Sequence, residues 1–247
     1  MTNDPKSQVP MTSSAPLPAE LADATALDCG RGVSTSPDDA STPLITPLQN
    51  GSPECDRRGP DFIANAEPGK FRLHGTVNPI RDEIIVIPCA MRQVWMEWFK
   101  DRGGYADKHL EEPDDLQTMP SQDGKRSIQV RPNGNVVEFT REFFVLCDNQ
   151  PYLLPCKSTA HQFAREWQGW FRQWRHPRTN AVLPSFSRKY KLVTVPKSNA
   201  LGKWYGLKFI DLGWVDAAEY ANARAFNEFI EQGQQRPGLT SRANDAA

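Results

Sequence analysis

From Met1 to Pro60 the chain has no phenylalanine, tyrosine or tryptophan, although 10 % of the whole sequence is aromatic. Nine prolines fall in the same stretch, in a background of Ser, Thr and Asp such as Thr12-Ser13-Ser14-Ala15-Pro16. So few large apolar groups cannot bury enough surface to offset the entropy of ordering a backbone, and residues 1–60 are expected to form a disordered tail. Long apolar runs are also missing. The longest unbroken one, Phe143–Cys147, falls far short of the roughly 20 residues of a membrane helix. The first 30 residues lack the basic-then-apolar layout of a signal peptide. The five cysteines (Cys29, Cys55, Cys89, Cys147 and Cys156) are odd in number and scattered, which argues against a secreted disulfide scaffold. Together these absences predict a soluble cytoplasmic protein with reduced thiols and no membrane partner.

Signatures of catalysis are equally scarce. No Gly-rich loop is followed by Lys and Ser or Thr, which excludes the usual ATP-driven motors. Cys147, Cys156, His161 and His176 follow no zinc-finger or ribbon spacing. Glu111-Glu112 and Asp114-Asp115 could hold a divalent ion in a nuclease, but between Gly104 and Gly124 they are expected only to solvate a loop. No nucleophile–base arrangement can be argued from residue order. The expectation is a non-enzyme without cofactor or metal.

From Phe62 onward the chain reads as folded, and the expected domain spans 61–232, with a flexible tail at 233–247. Ile84–Ile87 is strand-like and stops at Pro88. Met91, Val94, Trp95 and Trp98 fit either a strand or a helix. Val136–Cys147 is a strand rich in Val and Phe, and Asp148-Asn149-Gln150 turns into a short strand, Tyr152–Cys156. Phe163, Trp167, Trp170, Phe171 and Trp174 then recur at helical steps behind a candidate cap, Ser158, and Pro177 ends that helix. Phe186–Val195 and Lys203–Ile210 read as strands, and Asp216 caps a last helix through Phe229. The order matches a mostly β fold with α: a five-stranded oligonucleotide-binding (OB)-like barrel with a helix between strands 3 and 4 and a C-terminal helix.

The net charge of −1 conceals a segregation. Residues 150–210 hold eleven cations and one acid, Glu166, a net of +10, while every other part of the chain is acidic on balance. Eleven aromatic residues lie in the same segment. Cations neutralise phosphates and release counterions, while flat rings stack on unpaired bases. The expected phosphate contacts are Arg172, Arg175, Arg188, Lys189, Lys191, Lys203 and Lys208. Tyr205 is the expected stacking ring, because alternation puts it on the strand face of Lys203 and turns Trp204 toward the core. The bland alternative is that Phe163, Trp167, Trp170 and Trp174 are core and that the cations form an ordinary solvated face.

Several segments taken together resemble a group of tailed-phage single-stranded DNA-binding proteins: Glu67-Pro68-Gly69-Lys70-Phe71, Val86-Ile87-Pro88, Trp95-Met96-Glu97-Trp98, Gly103-Gly104-Tyr105, Ser158-Thr159, Pro184 through Leu192, and Gly202-Lys203-Trp204-Tyr205-Gly206. The resemblance covers roughly 65–232. It implies a barrel fold, a role coating single-stranded DNA in phage replication or recombination in the host cytoplasm, and replication or recombination proteins as partners. Such proteins often end in an acidic tail. This chain ends Ser241-Arg242-Ala243-Asn244-Asp245-Ala246-Ala247, which leaves the acidic N-terminal segment as the candidate recruiting tail. The leading alternative is a phage structural or assembly protein whose basic segment docks an acidic partner.

Overall fold

The computed structural model describes residues 42–77, 79–100, 104–121, 124, 127–200 and 202–232. The expected tail over 1–41 and the one over 233–247 lie outside the described residues.

The centre of the fold is strand β8, Val136–Cys147, whose bounds are those expected from its Val and Phe content. It pairs antiparallel with strand β4, Ile84–Trp98, along its whole length. On its other side lies β9, Gln150–Lys157. Asp148 and Asn149 both adopt positive φ, 52° and 58°, which suits the two-residue turn joining β8 to β9. The expected stop of β4 at Pro88 does not occur. A bulge between Pro88 and Ala90 absorbs the proline, as bulges in strands do, and the ambiguous Met91–Trp98 stretch continues as strand. The carbonyls around the bulge are not orphaned: Ser185 Oγ donates to Pro88 O at 2.8 Å and Asn227 Nδ2 to Cys89 O at 3.0 Å.

The rest of the main sheet follows from these three strands. Strands β5 (Tyr105–His109) and β6 (Gln117–Pro120) occupy the stretch expected to be an acidic loop, and β7 (Ser127–Val130) follows it. Strands β10, Arg188–Asn199, and β11, Gly202–Trp214, form a long hairpin. The eight-stranded order is β11-β10-β4-β8-β7-β6, with β5 against β4 and β9 against β8. The described pairings leave this sheet open, where the order of elements predicts a closed five-stranded barrel. Among the described residues the architecture is mostly β, antiparallel, with two α-helices.

Both faces of β8 are buried. Phe143, Val145 and Cys147 point into one core, together with Ile84, Val86, Tyr190, Leu192 and Leu207; Phe144 and Leu146 point into two smaller clusters on the other face. Helix α1, His161–Phe171, covers the first face with Phe163, Ala164 and Trp167. Ser158 does not cap it. That residue stands in a short 3-10 turn at φ 48°, and the helix ends at Phe171, well before Pro177. Helix α2, Ala217–Glu231, covers the second face with Ala223 and Ile230. Its capping box is complete: Asp216 accepts from the Glu219 N–H and the Glu219 side chain accepts from the Asp216 N–H, satisfying two otherwise orphaned donors.

The first core is finished by a segment that begins within the expected tail. Strands β1 (Ile45–Pro47), β2 (Phe71–Leu73) and β3 (Ile80–Arg81) form a small antiparallel sheet, and Ile45, Leu48 and Phe71 are wholly buried. A single parallel bridge, Leu44 with Leu153, joins it to β9. Residues 42–60 are therefore part of the fold, where a disordered tail is expected. A few aliphatic side chains suffice here because the core face of β8 and β10 waits to be covered, a demand that the local composition of 42–60 does not reveal. Among the described residues no helix is long and apolar enough to cross a membrane.

Trp167 lies at the centre of this core, fully buried, with its ring centroid 5.0 Å from Phe143, 5.3 Å from Phe163 and 5.6 Å from Tyr190. Its indole N–H has no hydrogen-bond partner, so apolar area and ring contact alone hold it. Far from it, at the end of β4, the buried carboxylate of Glu97 receives Asn135 Nδ2 at 2.6 Å, His109 Nε2 at 2.7 Å and Arg131 at 3.1 Å. Arg131 also grips Asp115. Burial alone would push the Glu97 carboxyl up, but these hydrogen bonds outweigh it and hold the pKa down at about 2.

Two outcomes follow from this packing. Trp167→Ala should cost roughly 3–5 kcal/mol in a urea melt, and Leu48→Ala roughly 2–5 kcal/mol, which a disordered 42–60 would not produce. Glu97 has a folded pKa below its ordinary value, so its stabilisation is present above that ordinary value and lost as pH falls toward about 2. Urea midpoints measured against pH should therefore drop between about pH 4.5 and 2, on the order of 3 kcal/mol, and Glu97→Gln should flatten that limb.

Candidate nucleic-acid interface

The basic segment lies on α1, on the loop after it and on the β10–β11 hairpin. At the base of the hairpin a bulge makes Leu212 the extra residue: Lys189 faces Gly213 and Tyr190 faces Asp211. Gly213 takes φ +99°, a left-handed conformation that favours glycine, and the shift in register brings Trp214 opposite Arg188. The Arg188 guanidinium then lies 3.9 Å from the Trp174 ring centroid and 4.4 Å from that of Trp214. The two rings stand at 72° and hold the cation in the corner between them, an arrangement favoured by the negative faces of both rings. Asp211 fixes the guanidinium from the side, with contacts of 2.9–3.2 Å. The same carboxylate accepts from Trp170 Nε1 at 3.0 Å and the Gly213 N–H at 2.8 Å. Burial works against the charged form of Asp211, but these bonds outweigh it and hold its pKa below the ordinary value.

Beyond Leu192, β10 pairs only with β11, and the hairpin continues as a two-stranded arm. Pro196 is tolerated there because β10 has no second neighbour needing its missing N–H. Directly opposed residues share a face of an antiparallel pair. One face of the arm carries Lys191 opposite Ile210, Val193 opposite Lys208, and Lys197 opposite Trp204. Ile85 and Ile210 on this face are 48 % and 43 % exposed. The other face carries Leu192 opposite Phe209 and Pro196 opposite Tyr205, and it turns toward the first core.

Trp204 and Tyr205 therefore take the reverse of their expected places. Tyr205 packs against the N-terminal segment: a Cβ on Gly69, whose φ is +92°, would stand 2.7 Å from the Tyr205 ring. The Gln49 amide donates to Tyr205 O at 3.0 Å and accepts from Tyr205 N–H at 2.8 Å, and Thr194 Oγ1 donates to Gly69 O. Trp204 shares the open face with Lys197. Alternation was read correctly, but the side of the arm that is covered depends on residues 42–70, which the sequence assigns to a tail and to the start of the domain.

The expected cations divide in two. Arg188 pairs with Asp211, Lys189 with Glu219 at 2.9 Å, and Lys191 with Glu83 at 2.8 Å. Among the described residues, Arg172, Arg175, Lys203 and Lys208 are in no ion pair with a carboxylate, and the same holds for Arg165, Arg178 and Lys197, while Lys157 pairs with Glu138 at 3.3 Å. Seven of the eleven cations thus have no carboxylate partner among the described residues. The cysteines and histidines weighed as metal ligands are placed otherwise. Cys147 and Cys156 are core residues, burial pushing the Cys147 thiol up to about 12, and His161 Nδ1 accepts from the Arg141 guanidinium at 3.1 Å.

A family model described as Pam3 phage gp34-like protein matches residues 11–236. The chain belongs to that family. Membership in the Pam3 phage gp34-like family supports the phage origin expected from the sequence, and the match runs through the hairpin, both helices and the small N-terminal sheet. No curated protein and no solved structure matches the chain.

Three residues of this surface were missed or misplaced by sequence. Lys197 and Trp204 follow from the face reversal. Trp214 was overlooked because Asp211-Leu212-Gly213 reads as the end of a strand; the signal available was the Arg188-to-Trp214 pairing that a strand longer than Lys203–Ile210 would create. If Tyr205 anchors the arm, Tyr205→Ala should lose roughly 1–3 kcal/mol of stability in denaturant melts. Gly69→Ala should be similarly costly, because it meets both the ring and the positive φ.

Proposed function

We propose that this Pam3 phage gp34-like protein binds single-stranded nucleic acid, DNA in phage replication or recombination, stoichiometrically and without catalysis. The observation that carries this is electrostatic. Seven cations between Lys157 and Lys208 have no described carboxylate partner, in a segment whose one acid is Glu166. Holding like charges together costs stability unless a counter-charge arrives, and a phosphodiester chain supplies one at every nucleotide. Trp214 stands exposed and Trp204 half-buried among these cations, and aromatic faces beside a basic track suit unpaired bases and not a duplex. Replication or recombination proteins in the host cytoplasm are the partners that this role entails. A second reading draws on the exposed Ile85, Ile210 and Leu212, which border the same lysines: the face would then dock an acidic partner protein during phage assembly.

Binding to a fluorescent single strand should weaken steeply with salt. With roughly four to six phosphate contacts the slope of log K against log salt should be about −3 to −4. Replacing Lys197, Lys203 and Lys208 together should flatten it by about 2. Replacing Lys189 and Lys191, already held by Glu219 and Glu83, should alter it less. Duplex DNA should bind more weakly than a single strand. Equal affinity for the two forms, or no binding at low salt, would favour the assembly reading.

A further inference from the structure

Trp214 differs from the other tryptophans of the first core's rim. It is 55 % exposed, at the end of β11, and yet it is rigidly placed. Its backbone is fixed by pairing with Arg188 and by the neighbouring Val215 N–H, which donates to Ser187 O at 3.2 Å. One face of the ring carries the Arg188 guanidinium, itself clamped by Asp211 and backed by Trp174. The open area is therefore the opposite face and the rim. Such a ring has paid its ordering cost in advance, which is what makes an aromatic surface an efficient binding element.

The chemistry of the occupant follows from the cation behind the ring. Arg188 already satisfies the negative face of the indole, so a second cation, such as a methylated lysine or a quaternary ammonium, is repelled. A neutral flat π-system is not. Further positive charges lie on the segment of chain that carries Trp174. Arg175 follows Trp174 on the chain, is exposed, and has one guanidinium N–H on Asn180 O at 2.9 Å, leaving others free. Arg172 lies one turn back, also exposed. A flat neutral ring attached to an anionic backbone matches both features.

We propose that Trp214 is a stacking platform for one unpaired nucleobase, with Arg172 and Arg175, which flank its neighbour Trp174 in the chain, as the cations to meet the flanking phosphates. This rests on the single-strand reading and assigns the stacking role to Trp214 in place of Tyr205, whose ring is committed to Gly69. The base would lie on the face of Trp214 away from Arg188, so that it extends an assembly of Trp174, Arg188 and Trp214 already present in the free protein.

The test uses the full chain and a fluorescein-labelled thymidine oligonucleotide, with anisotropy titrations at two salt concentrations. Trp214→Ala should weaken binding by about 5- to 150-fold, the loss of one stacked base, with an unchanged salt slope. Trp214→Phe should recover most of the affinity. Because more than half of Trp214 is solvent-exposed, a thermal melt of each variant should lie close to the parent's, which separates lost binding from lost folding. Parental binding with an unaffected Trp214→Ala protein would overturn the platform and leave the single-strand reading standing. Weakened binding with a flattened slope would also overturn it, since the ring would then act by placing cations. Failure of the parent itself to bind would remove both.

Discussion

Everything in this fold answers to one constraint, the five-residue apolar run at the end of β8. Phe143 to Cys147 alternate between two faces, and each is buried on the side to which it points. A strand that is apolar on both faces cannot lie at a surface. It must be flanked by strands and covered twice. The flanking strands are β4 and β9; the covers are α1 with the small N-terminal sheet on one side and α2 on the other. The layered arrangement is thus dictated by a run too short to be a membrane span and too apolar to be an edge.

How much of this was legible depends on whether the deciding contact is local. Strand β8, the turn at Asp148-Asn149, the aromatic stripe of α1 and the Asp216 cap all rest on neighbours within a few residues, and all are read directly. What was hidden rests on long-range pairing. Pro88 looks like a strand end because nothing nearby shows that Cys89 can bulge and hand its carbonyl to Asn227, which lies 138 residues away. Strands β5 and β6 look like acidic loop because their cover is the ladder to β4 and β7 and not their own composition. Residues 42–60 look like tail because the surface that they bury is supplied by β8 and β10. The same dependence decided the site. Its cations were visible as composition, but which of them are spent on Asp211, Glu219 and Glu83 could be known only once those acids were placed.

The distribution of charge has a spatial logic. At the base of the hairpin the first three cations of β10 are matched: Arg188 between indoles and Asp211, Lys189 on α2, Lys191 on the loop before β4. Toward the tip the matching stops, and Lys197, Lys203 and Lys208 have no described acid. Burial forces compensation because an unpaired charge in a dry setting is costly. Exposure does not, so charge that is retained there is available to another molecule. The hairpin therefore grades from a structural element into a presenting one along its own length.

The Gln49 amide adds a property of another kind. A long strand at the margin of a sheet offers outward N–H and C=O groups as a template on which a foreign strand can grow. In β11 the outward pair of Tyr205 is already taken, donor and acceptor both, by one side-chain amide that imitates a peptide unit. An intruding chain would have to break its register at that point. A single glutamine thus works as a stopper, letting a basic hairpin extend from the sheet without becoming a seed for aggregation.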